Sequence, residues 1–173
     1  MQNLDPKLSA FLDLIAWSEG TSTSLATLDN GYDVIVSGIN GPNTFSDYST
    51  HPFANGRPPI VVNHTGLEST ASGRYQQMLR NWTVYKVQLN LPDFGHDSQD
   101  KMALQLIGEV KATDLILAGD VQAAISACSS RWASFPGRYV QGNGPHTMAT
   151  LVTRYTTLFS GTPAAPPTEP ISA

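Results

Sequence analysis

Apolar residues along this chain recur first at helical spacing, then at strand spacing, then at helical spacing again. Leu8, Phe11, Leu12 and Ile15 stand at i, i+3, i+4 and i+7, which makes one face of an α-helix. Asp5-Pro6 supplies its start, with aspartate as N-cap and proline at the first helical position. Gly20 supplies its stop. After a polar Thr/Ser/Asn stretch, residues 31–38 (GYDVIVSG) are a β-branched run bounded by glycines and read as a strand. Asn40-Gly41-Pro42-Asn43 is a turn signal. Residues 45–52 are expected as the second strand of a hairpin and 60–62 as a third, so residues 31–63 form a small β lobe.

The helical period returns at residues 72–88, where Tyr75, Met78, Leu79, Trp82 and Tyr85 or Val87 share a face. Ser98 is an expected N-cap for 99–110, and residues 114–117 a short helical turn. Asp120 is an expected N-cap for 121–134. Residues 135–146 form a glycine-rich loop, and Met148, Leu151, Val152, Tyr155, Leu158 and Phe159 mark a last amphipathic helix. Residues 161–173 hold four prolines and little that is apolar, and are expected to be a disordered tail. The expected organisation is one domain over 1–160, with a β lobe facing a helical lobe across a cleft.

Glu19 lies where the first helix hands over to that lobe. It stands eleven residues after Leu8, about three turns at roughly 100° per residue, so its carboxyl returns to the apolar stripe. Desolvation there and the negative end of the helix dipole both raise a carboxyl pKa, which makes a general acid for neutral pH. A helix-terminal glutamate turned to water fits the same spacing.

A second carboxylate is harder to find. Asp29, Asp33 and Asp47 are the downstream candidates. Asp29-Asn30-Gly31 is accounted for by turn chemistry, Asp33 lies inside a strand pattern, and none stands out as a nucleophile. In residues 69–76 (STASGRYQ), Gly73 beside helix formers suggests a close backbone approach. Tyr75 and Gln76 could offer a sugar an aromatic face and an amide, or Tyr75 could pack in the core. The single cysteine, Cys128, sits on an apolar helical stripe, where a thiol is buried and inert. The four histidines (His51, His64, His96 and His146) are scattered, and no HExxH or paired-cysteine spacing suggests zinc.

Net charge narrows the partners. At −4, the chain has no basic stripe to track nucleic-acid phosphates. The first twenty residues lack both a basic n-region and a continuous apolar run, so they read as neither signal peptide nor anchor.

Six blocks, FLDLIAWSEGT, GYDVIVSG, FSDYSTHP, STASGRYQ, SQDKMALQLI and CSSRWASFPG, occur in this order between Leu8 and Phe159. In these the chain resembles the lambda-type phage endolysins. The resemblance implies an α+β, lysozyme-like fold, with a mainly helical lobe, a small antiparallel β lobe and the active-site cleft between them. It implies a peptidoglycan lytic transglycosylase, which cuts the β-1,4 bond between N-acetylmuramic acid and N-acetylglucosamine and leaves a 1,6-anhydro ring. By block it places the catalytic glutamate on Glu19 and cleft residues on Asp33, Tyr75, Gln76, Tyr139 and Gln141. It implies no metal and no organic cofactor. The expected partners are glycan strands, met by a monomer without stable membrane insertion. The expected place is the host bacterial cytoplasm until a holin lesion releases the protein to the wall. A hydrolytic muramidase, with Asp33 or Asp29 positioning water, and an inactive wall-binding module are the alternatives on this fold. Residues 39–44, the length of loop 135–146 and the proline-rich tail depart from the family pattern.

Overall fold

The computed structural model describes residues 4–137 and 146–161. Helix α1 spans Pro6–Ser18, and Asp5 caps it by accepting the Lys7 N–H at 2.8 Å. Two antiparallel pairs follow, β1 (Val34–Gly38) with β2 (Gly41–Thr44) and β3 (Ile60–Val61) with β4 (Glu68–Ser69). Five helices complete the described chain: α2 (Leu79–Gln88), α3 (His96–Glu109), α4 (Ala112–Ala118), α5 (Val121–Cys128) and α6 (Met148–Phe159). The expected α+β arrangement, helices with a small antiparallel β lobe, is the one observed.

Helix α1 is the axis of the helical lobe. The apolar stripe proves too narrow a description, because Ala10, Leu14 and Ala16 are buried as well as Phe11, Leu12 and Ile15. A helix buried on nearly all sides needs neighbours on all sides. It packs against α3, α4 and α6, which bring Ala103, Ile107, Ile116 and Leu151 into one cluster with it. Phe11 stands edge-on to Phe135 and to Tyr155, at centroid distances of 6.0 and 6.2 Å. A smaller cluster of Trp82, Leu91, Phe94 and Met102 fills the space under α2 and α3.

Four expectations need correction. The hairpin's second strand is Gly41–Thr44, not residues 45–52. Gly38 pairs with Gly41, so the two residues between them close the turn, and Gly41 takes φ +93°. Pro42 is tolerated because β2 is an edge strand. Residues 45–52 instead hang from the sheet by Phe45 N–H to the Asp33 carbonyl, 2.9 Å, and reach Phe94 N–H through the Tyr48 carbonyl, 2.8 Å.

The helix expected over 72–88 begins only at Leu79. Before it, Ser72 and Gln77 exchange backbone hydrogen bonds of 3.0 and 2.8 Å, and Gly73 and Gln76 sit at φ +75° and +48°. Left-handed residues at both positions break a right-handed helix. Helix α3 starts at His96 with Gly95 as N-cap, so Ser98 lies inside it. Helix α5 stops at Cys128 rather than running to residue 134. There the Ser129 hydroxyl donates to the Ser126 carbonyl at 2.7 Å and that of Ser130 to Ala127 at 3.2 Å. Such local bonds compete with helix continuation. Residues 129–135 form turns instead, which carries Ser134 to the end of α1.

Candidate active site

Glu19 is the C-cap of α1, its N–H bonded to the Ile15 carbonyl at 2.9 Å. Gly20 follows in the left-handed conformation, φ +72°, which turns the chain away from the helix. Its carboxylate oxygen Oε1 accepts the Ser134 hydroxyl at 2.7 Å. Ser134 lies in turn 2.9 Å from the Ser18 hydroxyl, and both serines are buried. Burial raises the Glu19 pKa above its ordinary value, and the Ser134 hydrogen bonds draw it part of the way back.

The segment around Gly73 is pinned beside Glu19. Thr21 Oγ1 lies 3.0 Å from the Ala16 carbonyl and 2.6 Å from that of Arg74. Trp132 Nε1 donates to the Tyr75 carbonyl at 3.1 Å. Arg74 is buried, bonds the Asn30 carbonyl and pairs with Asp13 at 2.6 Å. Gly73 is required here by contact as well as by φ. A Cβ would stand 2.2 Å from Gln99 Oε1, the atom that accepts the Arg74 N–H at 2.8 Å.

The expected cleft residues fare differently. Asp33 is buried, and its carboxylate accepts Thr27 Oγ1 at 2.5 Å and the Leu28 N–H at 2.9 Å. It therefore organises the loop that leaves Glu19. It also lines a cavity of about 310 Å³ with Leu28, Asp29, Phe45 and Tyr48. Tyr75 does not present a ring to a sugar, and that reading is corrected. It is 2 % exposed, packed in the main core with its hydroxyl donating to Asp100 at 2.6 Å. The residues that bury it belong to the cluster around α1, whereas Leu79 and Trp82, which shared its helical period, pack in the smaller cluster. Gln76 is partly exposed at φ +48°, with its amide donating to the Gly73 carbonyl at 3.2 Å. Tyr139 and Gln141 lie outside the described residues.

Other chemistries find little support. Asp29 is engaged by Tyr48, 2.5 Å, and by His96 Nε2, 2.6 Å. Burial pushes its carboxyl up, but these bonds, with the charges of His96 and Arg74, leave it below the ordinary range. Cys128 is fully buried, and burial pushes its thiol up to about 12, too high for a nucleophile. Among the described residues, no three of His, Cys, Asp and Glu are grouped to hold a metal ion.

The family model for endolysins matches residues 9–161. The chain belongs to the endolysin family. The endolysin of Escherichia phage P2 is 50 % identical over 163 residues, covering 94 % of this chain and 98 % of that one. The endolysin of Escherichia phage lambda is 42 % identical over 156 residues, covering 90 % and 92 %. Bacteriophage lambda lysozyme complexed with a chitohexasaccharide superimposes with a TM-score of 0.80 at 42 % identity, over 91 % of this chain and 97 % of that one. A second structure of lysozyme from bacteriophage lambda gives 0.78 at 39 % identity. The endolysin fold is thus lysozyme-like. Its sequence motifs drew attention to Glu19, but Ser18, Ser134, Asp13 and Arg74 carried no such signal. All four lay inside the six blocks, and only the early end of α5 showed why Ser134 belongs beside Glu19.

Proposed function

We propose that this protein cleaves the β-1,4 bond between N-acetylmuramic acid and N-acetylglucosamine in peptidoglycan by lytic transglycosylation, with Glu19 as acid and then base. The observation that carries this reading is the Glu19 carboxyl, raised in pKa and hydrogen-bonded by Ser134, at the end of a buried helix. Glu19 gives its proton to the glycosidic oxygen as the C1–O bond breaks, and N-acetylglucosamine leaves as the alcohol. The muramic acid ring becomes oxocarbenium-like. Its own C6 hydroxyl then attacks C1 and gives its proton to the Glu19 carboxylate, which restores the acid. No water is consumed. Attack from within one sugar is effectively unimolecular, so no second carboxylate is needed. Asp29 and Asp33, each committed to neighbours in the β lobe and its loop, agree with that economy.

The lambda relative, described with a chitohexasaccharide, supports a β-linked amino-sugar strand as substrate. On this reading the protein works as a monomer on glycan strands and waits in the host cytoplasm for a holin lesion. Among the described residues, no helix is long and apolar enough to cross a membrane.

Mass spectrometry of the soluble fragments from purified peptidoglycan, parent against Glu19→Gln, tests the reading. Anhydro-muramic ends that vanish in the variant support it. Reducing ends, heavier by one water, would make the protein a hydrolase. Fragments from neither protein would make it a binding module.

A further inference from the structure

We propose that Ser134 and Ser18 form a two-hydroxyl chain that orients the Glu19 carboxylate and stabilises it between its two proton transfers, with Ser134 as the positioning residue and Ser18 aiming it. The inference rests on Glu19 being the acid and base of the reaction.

The geometry has three links in series. Ser18 Oγ lies 3.0 Å from the Ile15 carbonyl and 2.9 Å from Ser134 Oγ, and Ser134 Oγ lies 2.7 Å from Glu19 Oε1. While Glu19 is charged, two hydroxyl protons serve these three contacts, so one contact is left without a proton between its atoms. The Ile15 carbonyl already accepts the Glu19 N–H at 2.9 Å, so it loses little when Ser18 turns away. When Glu19 is charged, Ser18 donates to Ser134 and Ser134 to Glu19, and the open link is at Ile15. When Glu19 is protonated, Ser18 is released to bond Ile15. Only hydroxyls rotate, and no proton travels along the chain. Each hydroxyl that donates polarises the next, so the pair stabilises the anion more than Ser134 alone.

The other titratable groups around α1 make contacts other than with the Glu19 carboxyl. The His146 ring lies 4.4 Å from that of Trp17 and bonds the Ser18 backbone. Arg154 stands over Trp17 at 5.3 Å. Asp13 pairs with Arg74 in the segment before α2, and Asp100 of α3 accepts from Tyr32 and Tyr75. Ser134 is the one described residue whose side chain hydrogen-bonds the Glu19 carboxyl.

The experiment is a carboxyl-resolved NMR titration of Glu19, with kcat and KM against pH on soluble glycan strands, for the parent, Ser134→Ala, Ser134→Thr and Ser18→Ala. A hydrogen bond to the charged form lowers a carboxyl pKa, so losing it raises the pKa. Ser134→Ala is expected to raise the Glu19 titration by about one pH unit and carry the alkaline limb of kcat up with it. It should lower kcat about tenfold or more with KM unchanged. Ser134→Thr should restore both, and Ser18→Ala should move both in the same direction by less. A folded Ser134→Ala whose Glu19 titration and alkaline limb stay where the parent's are overturns the proposal. A Ser18→Ala protein indistinguishable from the parent overturns the chain. Because the titration is read without turnover, these failures are distinct from a parent that shows no Glu19-dependent cleavage.

Discussion

His51 and Gln77 are joined inside the protein, where His51 Nε2–H donates to the Gln77 carbonyl at 3.0 Å. His51 Nδ1 accepts the Phe53 N–H at 3.3 Å, which requires the neutral ring. The ring is fully buried, 4.7 Å from Phe94 by centroids. It ties residues 45–54 to the segment that carries Gln76.

Burial pushes the His51 pKa down to about 4, with the Gln77 bond opposing in part. An unfolded histidine titrates near ~6.5. Between these values the unfolded chain binds the extra proton, so stability rises with pH. The folded protein is expected to lose stability as pH falls below about 6.5, by of order 3 kcal/mol once pH reaches about 4. Urea unfolding at several pH values checks this, and His51→Gln should flatten the slope in that window.

Glu19 has the opposite sign. Its folded pKa is raised, so its contribution is fully present below the unfolded value of about 4.5 and is lost as pH rises through the folded value. At neutral pH the carboxylate is therefore a burden on the fold. Glu19→Gln is expected to lower glycan cleavage by about 10²–10⁴-fold and to raise the melting temperature. A variant that is inactive and also less stable would mean that Glu19 is held for structure.

Gly73→Ala meets both a left-handed backbone and the Gln99 amide. A cost of roughly 2–4 kcal/mol is expected from strain plus displacement of Gln99. Gly41→Ala, also left-handed but with nothing near its Cβ, should cost only about 1–2 kcal/mol. Denaturant midpoints of the two variants separate the contact from the backbone strain.

Cys128 offers a check on thiol chemistry. Buried and with its thiol raised to about 12, it should stay unmodified by a thiol reagent in the native protein and react once unfolded. Cys128→Ala should keep full activity while losing about 1 kcal/mol of stability to the small cavity.

The elements whose signals are local were legible before any packing. Asp5-Pro6 and Gly20 bound α1, the stripe through Leu151 and Tyr155 made α6, and the block around Glu19 drew attention to a carboxyl at the end of α1. Caps and periods act within a few residues, so they survive without the rest of the chain. Tertiary structure decided what depends on distant partners. Tyr75 has the composition of a sugar platform, but Asp100, twenty-five residues on, takes its hydroxyl into the core. Gly73 reads as a poor helix residue until Gln99 is seen against it. Ser134 becomes a neighbour of Glu19 only because α5 ends six residues before it, and the hydrogen bond across 115 positions has no trace in local pattern. A contact of that kind is fixed by packing, which brings together residues that no spacing rule connects.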